Sequence, residues 1–465
     1  MDDVSADADL PESARRLFGV FADAGREIYL VGGYVRDLLL GIPSVDLDMA
    51  TSATPDETVE ILERSGIKAV PLGMDFGTVG AVMGSGGDGM VEITTFRVSE
   101  AYPPDDRHPV VRFGGSIRED LVRRDFTVNA MAMGRDGEIV DPTGGREDLR
   151  RRLLRTPGDP VLVMREDPLR MLRALRFMAQ LDFRLQDDVT ASIARCSGEI
   201  SNVSAERCKR ELDRLMEVSD GGLVAGAFME MAGLGLLGAM VPELRPLLDS
   251  EDVDQGVHHH LDPWKHSLAA LAVTKPDICL RWATLLHDAG KPAARRETGG
   301  GIRFIGHEKG SEEIALQVAQ RLRFTRRQRR CVAWLVRNHM RPLGYSRQWT
   351  DRAVRRLARD AGENLESLLQ LAAADAAAHH PAETESGLER VEALRERLEG
   401  LSVQSGRRLL LPAVGSVLAE MLPAEGRKIG MMLEALETEV AAGRLEPLAP
   451  VDVCLKRLRE LDLLD

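Results

Sequence analysis

The chain has 465 residues, enough for about three domains, and its 44% hydrophobic and 29% charged residues with few aromatics describe a folded, helix-rich protein rather than a disordered one. The longest uncharged apolar stretch, Met231 to Val241, falls well short of the ~20 residues of a membrane span, and the acidic start MDDVSADADL is unlike a basic signal peptide. Five scattered cysteines without CxxC spacing argue against a disulfide framework and a cysteine zinc site, so a cytoplasmic protein is expected.

Residues 28–140 mix short β-rich runs (IYLVGG, GTVGAVM, VEITTF, EIVDP) with helical segments and a glycine-dense stretch from Gly73 to Gly89, the pattern of a domain holding both strands and helices. From about Arg150 onward amphipathic helices dominate, among them DPLRMLRALRFMAQL, AERCKRELDRLMEV and SEEIALQVAQRLRF; the remainder is expected to be all-helical. Breaks are expected near Arg155, within Asp249–Gly256 and near Pro381. The net charge of −13 speaks against nucleic acid as a partner, yet thirteen arginines and one acid, Asp351, lie between Arg321 and Arg359. That window is either a seat for a phosphate backbone or a solvated helix face in an arginine-rich chain with only 8 lysines among 61 basic residues.

The run IYL, then Val31, Gly32 and Gly33, then YVRDLLLG, places two glycines where a strand hands over to a helix N-terminus, a position that favours phosphate. SVDLDMAT follows, with Asp46 and Asp48 two apart. On a strand, side chains two apart share a face, so both carboxylates can converge on hard divalent cations that clamp a phosphoryl displacement. The alternative is two carboxylates on a solvated strand end.

Together LVGGYVRDLLLG, VDLDMAT, RRDFTVNAMA, EDPLRMLRALRF and AERCKRE resemble the bacterial class II branch of the nucleotidyltransferase superfamily, the tRNA CCA-adding enzymes and poly(A) polymerases. The resemblance implies an α+β chain: a small mixed-sheet catalytic head (1–155), a helical neck with a base-selecting helix (156–250), an HD-type metal-binding body (251–380) and a helical tRNA-binding tail (381–465). It implies transfer of C, C and A from CTP and ATP to a tRNA 3′ end without a nucleic-acid template. Asp46 and Asp48 would hold Mg²⁺; Gly32, Gly33 and Arg36 would contact the triphosphate; Arg124, Asp125 and Asn129 of RRDFTVNA would serve the nucleotide, Asp125 by accepting from a ribose hydroxyl. Glu92 is a candidate third carboxylate by strand parity, with a buried or cross-strand-paired glutamate as the alternative.

Asp167, Arg170, Arg173 and Arg176 recur every three residues and form a winding stripe on one helix face. A carboxylate accepts from an exocyclic amine and a guanidinium donates to a ring nitrogen or carbonyl, so Asp167 with Arg170 fits cytosine and adenine and rejects uracil and guanine. Asp167 before Pro168 also reads as a helix cap. The poly(A) polymerase branch carries a basic G-[RK]-[RK]-F segment; here PLGMDFGTVGAV puts Met74 and Asp75 in its place. The loop FRVSEAYPPDDRHPVVRF (Arg97, Asp106, Arg107, His108), which CC-only enzymes lack, permits a terminal A. Complete CCA addition is the expectation, with A-only addition, a poly(A) polymerase and a non-catalytic RNA-binding protein as alternatives.

Nine of ten histidines lie between His258 and His380. His266, His287–Asp288, His307, His339 and Asp375 follow the H…HD…H…H…D order of the HD phosphohydrolases. The resemblance assigns His266, His287, Asp288 and Asp375 to one divalent ion, with His307 and His339 available for a second; mixed imidazole and carboxylate ligands suit Mn²⁺, Fe²⁺, Co²⁺ or Ni²⁺. Lys291 is a candidate phosphate contact, hydrolysis at damaged RNA 3′ ends a candidate activity, and buried histidines without metal the alternative. Near the C-terminus GRKIG departs from the family's GPxIG.

Overall fold

In the computed structural model of the chain the described residues are 10–44, 46–84, 89–101, 110–249, 262–298, 301–379, 381–406, 412–422, 425–441, 444–446 and 449–464. They fall into two units, residues up to 336 and residues from 337 onward, a division inside the 251–380 segment. Among the described residues no helix is long and apolar enough to cross a membrane.

The first unit opens with a mixed seven-stranded sheet built from β1 (Ile28–Val31), β2 (Asp48–Thr51), β3 (Lys68–Gly73), β4 (Thr78–Val82), β5 (Met90–Thr95), β8 (Ala132–Met133) and β9 (Ile139–Val140), in the order β3-β4-β5-β2-β1-β8-β9. β2 and β5 run parallel and the other neighbours antiparallel, as expected of an α+β head. Val91, Ile93 and Thr95 are buried while Met90 and Glu92 are exposed, the period-two alternation that leaves one face of β5 open. A separate hairpin, β6 (Arg97–Ala101) with β7 (Val110–Phe113), holds Arg97. Asp106, Arg107 and His108 lie outside the described residues.

Local chemistry sets the helices around the sheet. Thr54 and Glu57 form a capping box ahead of helix Pro55–Arg64, and Ser116 with Glu119 does the same for helix Ile117–Val122. Behind the head, helix Leu169–Leu181 packs on helices Ala205–Met216 and Gly221–Gly233, with Phe126 edge-on to Phe177 at 5.9 Å. Arg281 is fully buried, donating to the carbonyls of Met216, Val218, Ser219 and Thr274. These acceptors satisfy a guanidinium that no carboxylate neutralises directly, and they tie helix Ile278–Leu286 to the end of helix Ala205–Met216.

The expectation of an all-helical remainder needs correction. Leu153–Leu154 pairs in parallel with Arg184–Leu185, and Arg295–Thr298 pairs antiparallel with Gly301–Phe304. The second pair flanks Gly299–Gly301, a run no helix propagates through cheaply because glycine forfeits the most backbone entropy. In the second unit helices Leu365–Ala377 and Pro381–Gly406 pack together, and helices Pro412–Met421, Gly426–Ala441 and Val451–Glu460 gather round Leu418, Met432, Leu436 and Leu458. GRKIG starts the middle one of these three.

Candidate active site and metal centre

β1 ends at Val31, Gly32 turns at φ +70°, and helix Gly33–Leu40 begins at the next residue. A Cβ on Gly32 would sit 3.0 Å from Arg124 Nη1, so this position needs glycine for both its backbone and the guanidinium above it. Arg124 is aimed there by Asp120, which accepts from its Nε and Nη2 at 3.3 and 3.0 Å. A helix N-terminus and a half-buried guanidinium therefore share one turn, a seat for anionic oxygen.

The register that pairs Leu30 with Met49 carries the two aspartates past the end of β1, beside that turn. β2 starts at Asp48, and Asp46 lies in the segment leading into it rather than on the strand. Asp46 thus stands two residues ahead of Asp48, just before the strand begins, and both residues are exposed while Leu47 between them is partly covered. Glu92 is the direct β5 partner of Asp48, so adjacent parallel strands place two carboxylates side by side. Desolvation within the crowded site, then Glu92, then Asp46 push the Asp48 carboxyl up, against Arg124 and Arg214, although the residue still keeps exposed surface. Among the described residues none of the three acids is ion-paired. Uncompensated carboxylate oxygens of this kind fit a hard divalent cation such as Mg²⁺.

Behind them runs a continuous polar chain. Arg36 is buried, with Nε on Asp37 at 2.8 Å and Nη1 on Asn129 at 2.9 Å. Asn129 donates to Asp125 Oδ1 at 3.1 Å, the backbone N–H of Phe126 reaches the same oxygen at 2.8 Å, and Arg173 donates twice to Oδ2 at 2.9 and 2.6 Å. Burial raises the Asp125 carboxyl, but the Arg173 charge and these donors overcome it and leave it at about 2. A ribose hydroxyl reaches Asp125 only by displacing one of the four. Arg173 also approaches Glu211 at 3.5 Å, and Arg176 donates to Glu211 at 2.6 Å. Arg36, Arg173 and Arg176 surround the Phe177 ring, 5.2, 5.3 and 3.9 Å from its centroid.

The expected stripe is therefore not one open face, because Arg173 and Arg176 turn to carboxylates in the interior. Asp167 precedes helix Leu169–Leu181, whose N-cap position is Pro168, and accepts from the backbone N–H of Leu169 at 3.2 Å. Its other oxygen takes Arg207 at 2.7 Å. Arg170 donates to Glu166 and to the carbonyls of Val163 and Arg123, and both Asp167 and Arg170 keep part of their surface accessible. Sequence reasoning missed Arg207, Glu211 and Arg214. Their i, i+4, i+7 spacing on helix Ala205–Met216 was the available signal: one face touches Asp167, the Arg173/Arg176 pair and the field at Asp48 in turn.

A second cluster lies elsewhere in the first unit. His266, His287, Asp288 and His307 are buried; Asp288 has His287 Nε2 at 3.2 Å, His307 Nε2 at 3.2 Å and His266 Nε2 at 3.5 Å. His287 Nδ1 meets the carbonyl of Thr284 at 2.7 Å and His307 Nδ1 that of Phe304 at 2.8 Å. A carbonyl only accepts, so each Nδ1 carries a proton; each Nε2 then faces Asp288, donating to it when the ring is charged and offering a lone pair where a metal ion takes that proton's place. Burial, opposed by His287 and Lys291, leaves the Asp288 carboxyl well below its usual range. Lys291 Nζ lies 2.7 Å from Asp288, so its ammonium is engaged there. His339 and Asp375 belong to the second unit, where both are buried; His258–His260 lie outside the described residues.

The strand–Gly–Gly–helix turn flanked by three acids is the catalytic head of a nucleotidyltransferase. Residues 28–155 match the family described as Poly A polymerase head domain, 182–248 the Probable RNA and SrmB- binding site of polymerase A, and 266–380 the HD domain. An A-adding tRNA nucleotidyltransferase of Deinococcus radiodurans is 33% identical over 430 residues, 90% of this chain and 92% of that protein; the chain belongs to this family of tRNA nucleotidyltransferases and poly(A) polymerases. A CCA-adding enzyme of Bacillus pumilus is 43% identical over 42% of this chain and 46% of its own, so the match spans about half of that relative. The crystal structure of the Bacillus stearothermophilus CCA-adding enzyme in complex with CTP superposes with a TM-score of 0.63 at 27% identity, covering 97% of this chain and 99% of that one.

Proposed function

We propose that the protein adds C, C and A to tRNA 3′ ends from CTP and ATP, selecting bases with its own side chains. The observation that carries this reading is the Gly32–Gly33 turn with Asp46 and Asp48 at the start of β2 and Glu92 on the neighbouring β5, together with Asp167 and Arg170 at the start of helix Leu169–Leu181. Helix Ala205–Met216 relates to both groups, through Arg207, which pairs with Asp167, and through Arg214, whose charge acts on Asp48; in this reading the phosphates lie at the acids and the base at Asp167 and Arg170. Asp46, Asp48 and Glu92 would hold divalent magnesium, one or two ions, which would supply neutralisation of the triphosphate charge and a lower pKa for the attacking hydroxyl. The Gly32–Gly33 turn and Arg124 orient the triphosphate. Arg36, Asn129 and Asp125 serve the nucleotide from behind by fixing Arg173 and the neck helix, Asp125 yielding a donor where it accepts the ribose hydroxyl.

A-only addition is the second reading, favoured by the relative covered over 92% of its length, which is an A-adding enzyme. One assay separates the two: purified protein, Mg²⁺ and tRNA ending at the discriminator base or at CC, with CTP, ATP or both, followed by 3′-end sequencing. Three nucleotides from CTP plus ATP support complete addition; A added only to the CC-ended tRNA supports the second reading; long A-tails from ATP alone refute both. For the histidine cluster we propose a divalent transition metal on His266, His287, Asp288 and His307, supported by the two Nδ1–carbonyl bonds, with phosphoester hydrolysis at RNA 3′ ends as its chemistry.

A further inference from the structure

Positive charge gathers where helix Arg326–Asn338 begins. Arg326, Arg327, Arg329 and Arg330 fill four of its first five positions, and no acid stands in the first turn. Just upstream, Arg321 is spent on Glu243 at 2.7 Å and Arg323 lies 3.9 Å from Glu206. Arg326, Arg329 and Arg330 are exposed, and among the described residues no carboxylate or carbonyl accepts from their guanidinium groups.

This arrangement opposes the helix in two ways. Cations at an N-terminus face the positive end of the macrodipole, and Arg326 and Arg330, four apart, repel each other. A merely solvated face would be better served by mixed charge. An anion alongside would turn both penalties into attractions.

Position identifies which anion. Glu206 meets Arg323, and Lys209 Nζ lies 4.6 Å over the Phe324 ring, so helix Ala205–Met216 seats the segment that leads into the arginines. The residue after Glu206 is Arg207, the partner of Asp167. The cluster thus follows a segment seated on the helix whose Arg207 pairs with Asp167. A free nucleotide carries one compact charge, whereas several guanidiniums spread over a helix turn match a polymer with a phosphate on every residue, and the chain's net −13 leaves attraction for such a polymer to local patches. We propose that Arg326, Arg329 and Arg330 form a docking surface for the sugar-phosphate backbone of the RNA substrate, a proposal that rests on the tRNA nucleotidyl transfer inferred above.

The test is the full chain with Arg326→Gln, Arg329→Gln and Arg330→Gln together, compared with wild type for tRNA affinity between 50 and 200 mM salt and for steady-state addition. At 0.7–0.9 released counterions per phosphate contact, the log–log salt slope should become shallower by about 2–3 and the tRNA Kd should rise roughly tenfold or more at low salt. KM for tRNA rises with it, while kcat at saturating tRNA holds. The triple lysine variant should restore most of the affinity, and each single glutamine variant should change the slope by about one, which keeps the test valid should the triple variant fold poorly. Unchanged slope and Kd in a folded triple variant, with wild type active on tRNA, overturn the docking surface alone. A wild type that adds nothing to tRNA while the glutamine variant still loses RNA affinity overturns the transferase reading and leaves the surface standing.

Discussion

Replacing Asp125 by asparagine tests the polar chain behind the nucleotide site. Its carboxyl stands at about 2 against an ordinary 3.8, and nearly two units at 1.36 kcal/mol each correspond to about 2 kcal/mol of stability at neutral pH. The sign follows from the depressed value: the contribution is complete above the unfolded-state pKa, near 4, and disappears as pH falls through about 2. Asparagine keeps an oxygen for the Phe126 and Asn129 donors but turns an amide donor, or a neutral oxygen, toward Arg173. Breaking one partner of a buried pair costs about 3–5 kcal/mol; Arg173 is partly exposed and retains Glu211 at 3.5 Å, so about 2–3 kcal/mol is expected. Thermal melts at pH 7 should show the first unit losing roughly 3–4 °C. Wild-type minus variant differences should stay level from pH 7 to about 4 and shrink below that. A difference under about 1 °C at pH 7, or one that widens between pH 7 and 4, would refute the assignment of this stability to the Asp125–Arg173 pair.

Asp48→Asn should lower nucleotide addition by roughly a thousandfold or more, since a bound metal supplies several kcal/mol of transition-state stabilisation, with tRNA affinity within a few-fold. The same variant should melt higher without metal at pH 7: a carboxyl raised by desolvation and by Glu92 costs stability when ionised, and the gain fades as pH drops and the wild-type proton returns. Gly32→Ala should lose about 1–2 kcal/mol from its positive φ alone, read by denaturation, with a rise in KM for ATP as Arg124 is displaced. Asp167→Ala should relax discrimination against UTP and GTP by about 1–3 kcal/mol, measured as ratios of kcat/KM; an unchanged ratio removes Asp167 from base choice. His287→Ala with Asp288→Ala should abolish stoichiometric transition metal by elemental analysis and leave nucleotide addition within a few-fold, with melting curves to show that the domain remains folded.

Legibility in the sequence followed the range of the interaction. Gly32–Gly33, Asp46, Asp48 and the His287–Asp288 pair stood out as candidates in the sequence because phosphate and metal chemistry demands particular residue types at short spacing. Glu92 was only a parity argument, since the sequence does not say that β5 lies parallel to β2 with Glu92 opposite Asp48. The Asp125–Arg173 and Arg176–Glu211 pairs span 48 and 35 residues, beyond any local period. An every-third-residue stripe therefore looked like one polar face when its lower half turns inward. The strands at 295–304 were hidden for a different reason: a four-residue strand beside three glycines has too little apolar alternation to register against the helices on either side.

The inward turn bears on how bases could be chosen without a template. A carboxylate and a guanidinium discriminate bases only if the base edge is held at a fixed distance from the reacting phosphorus, and that distance runs from β2 and β5 to the start of helix Leu169–Leu181. The chain Arg36, Asn129, Asp125, Arg173, Glu211 and Arg176, wrapped on Phe177, spans that interval with hydrogen bonds whose geometry tolerates little drift. Buried ion pairs are a weak source of net stability, and apolar side chains could have filled the same volume. What oriented hydrogen bonds add is a single register between two elements. On the proposed function, arginine and aspartate at these positions would act on specificity by holding the neck helix in place, and a substitution there should blur base choice even where the substituted side chain never meets the base.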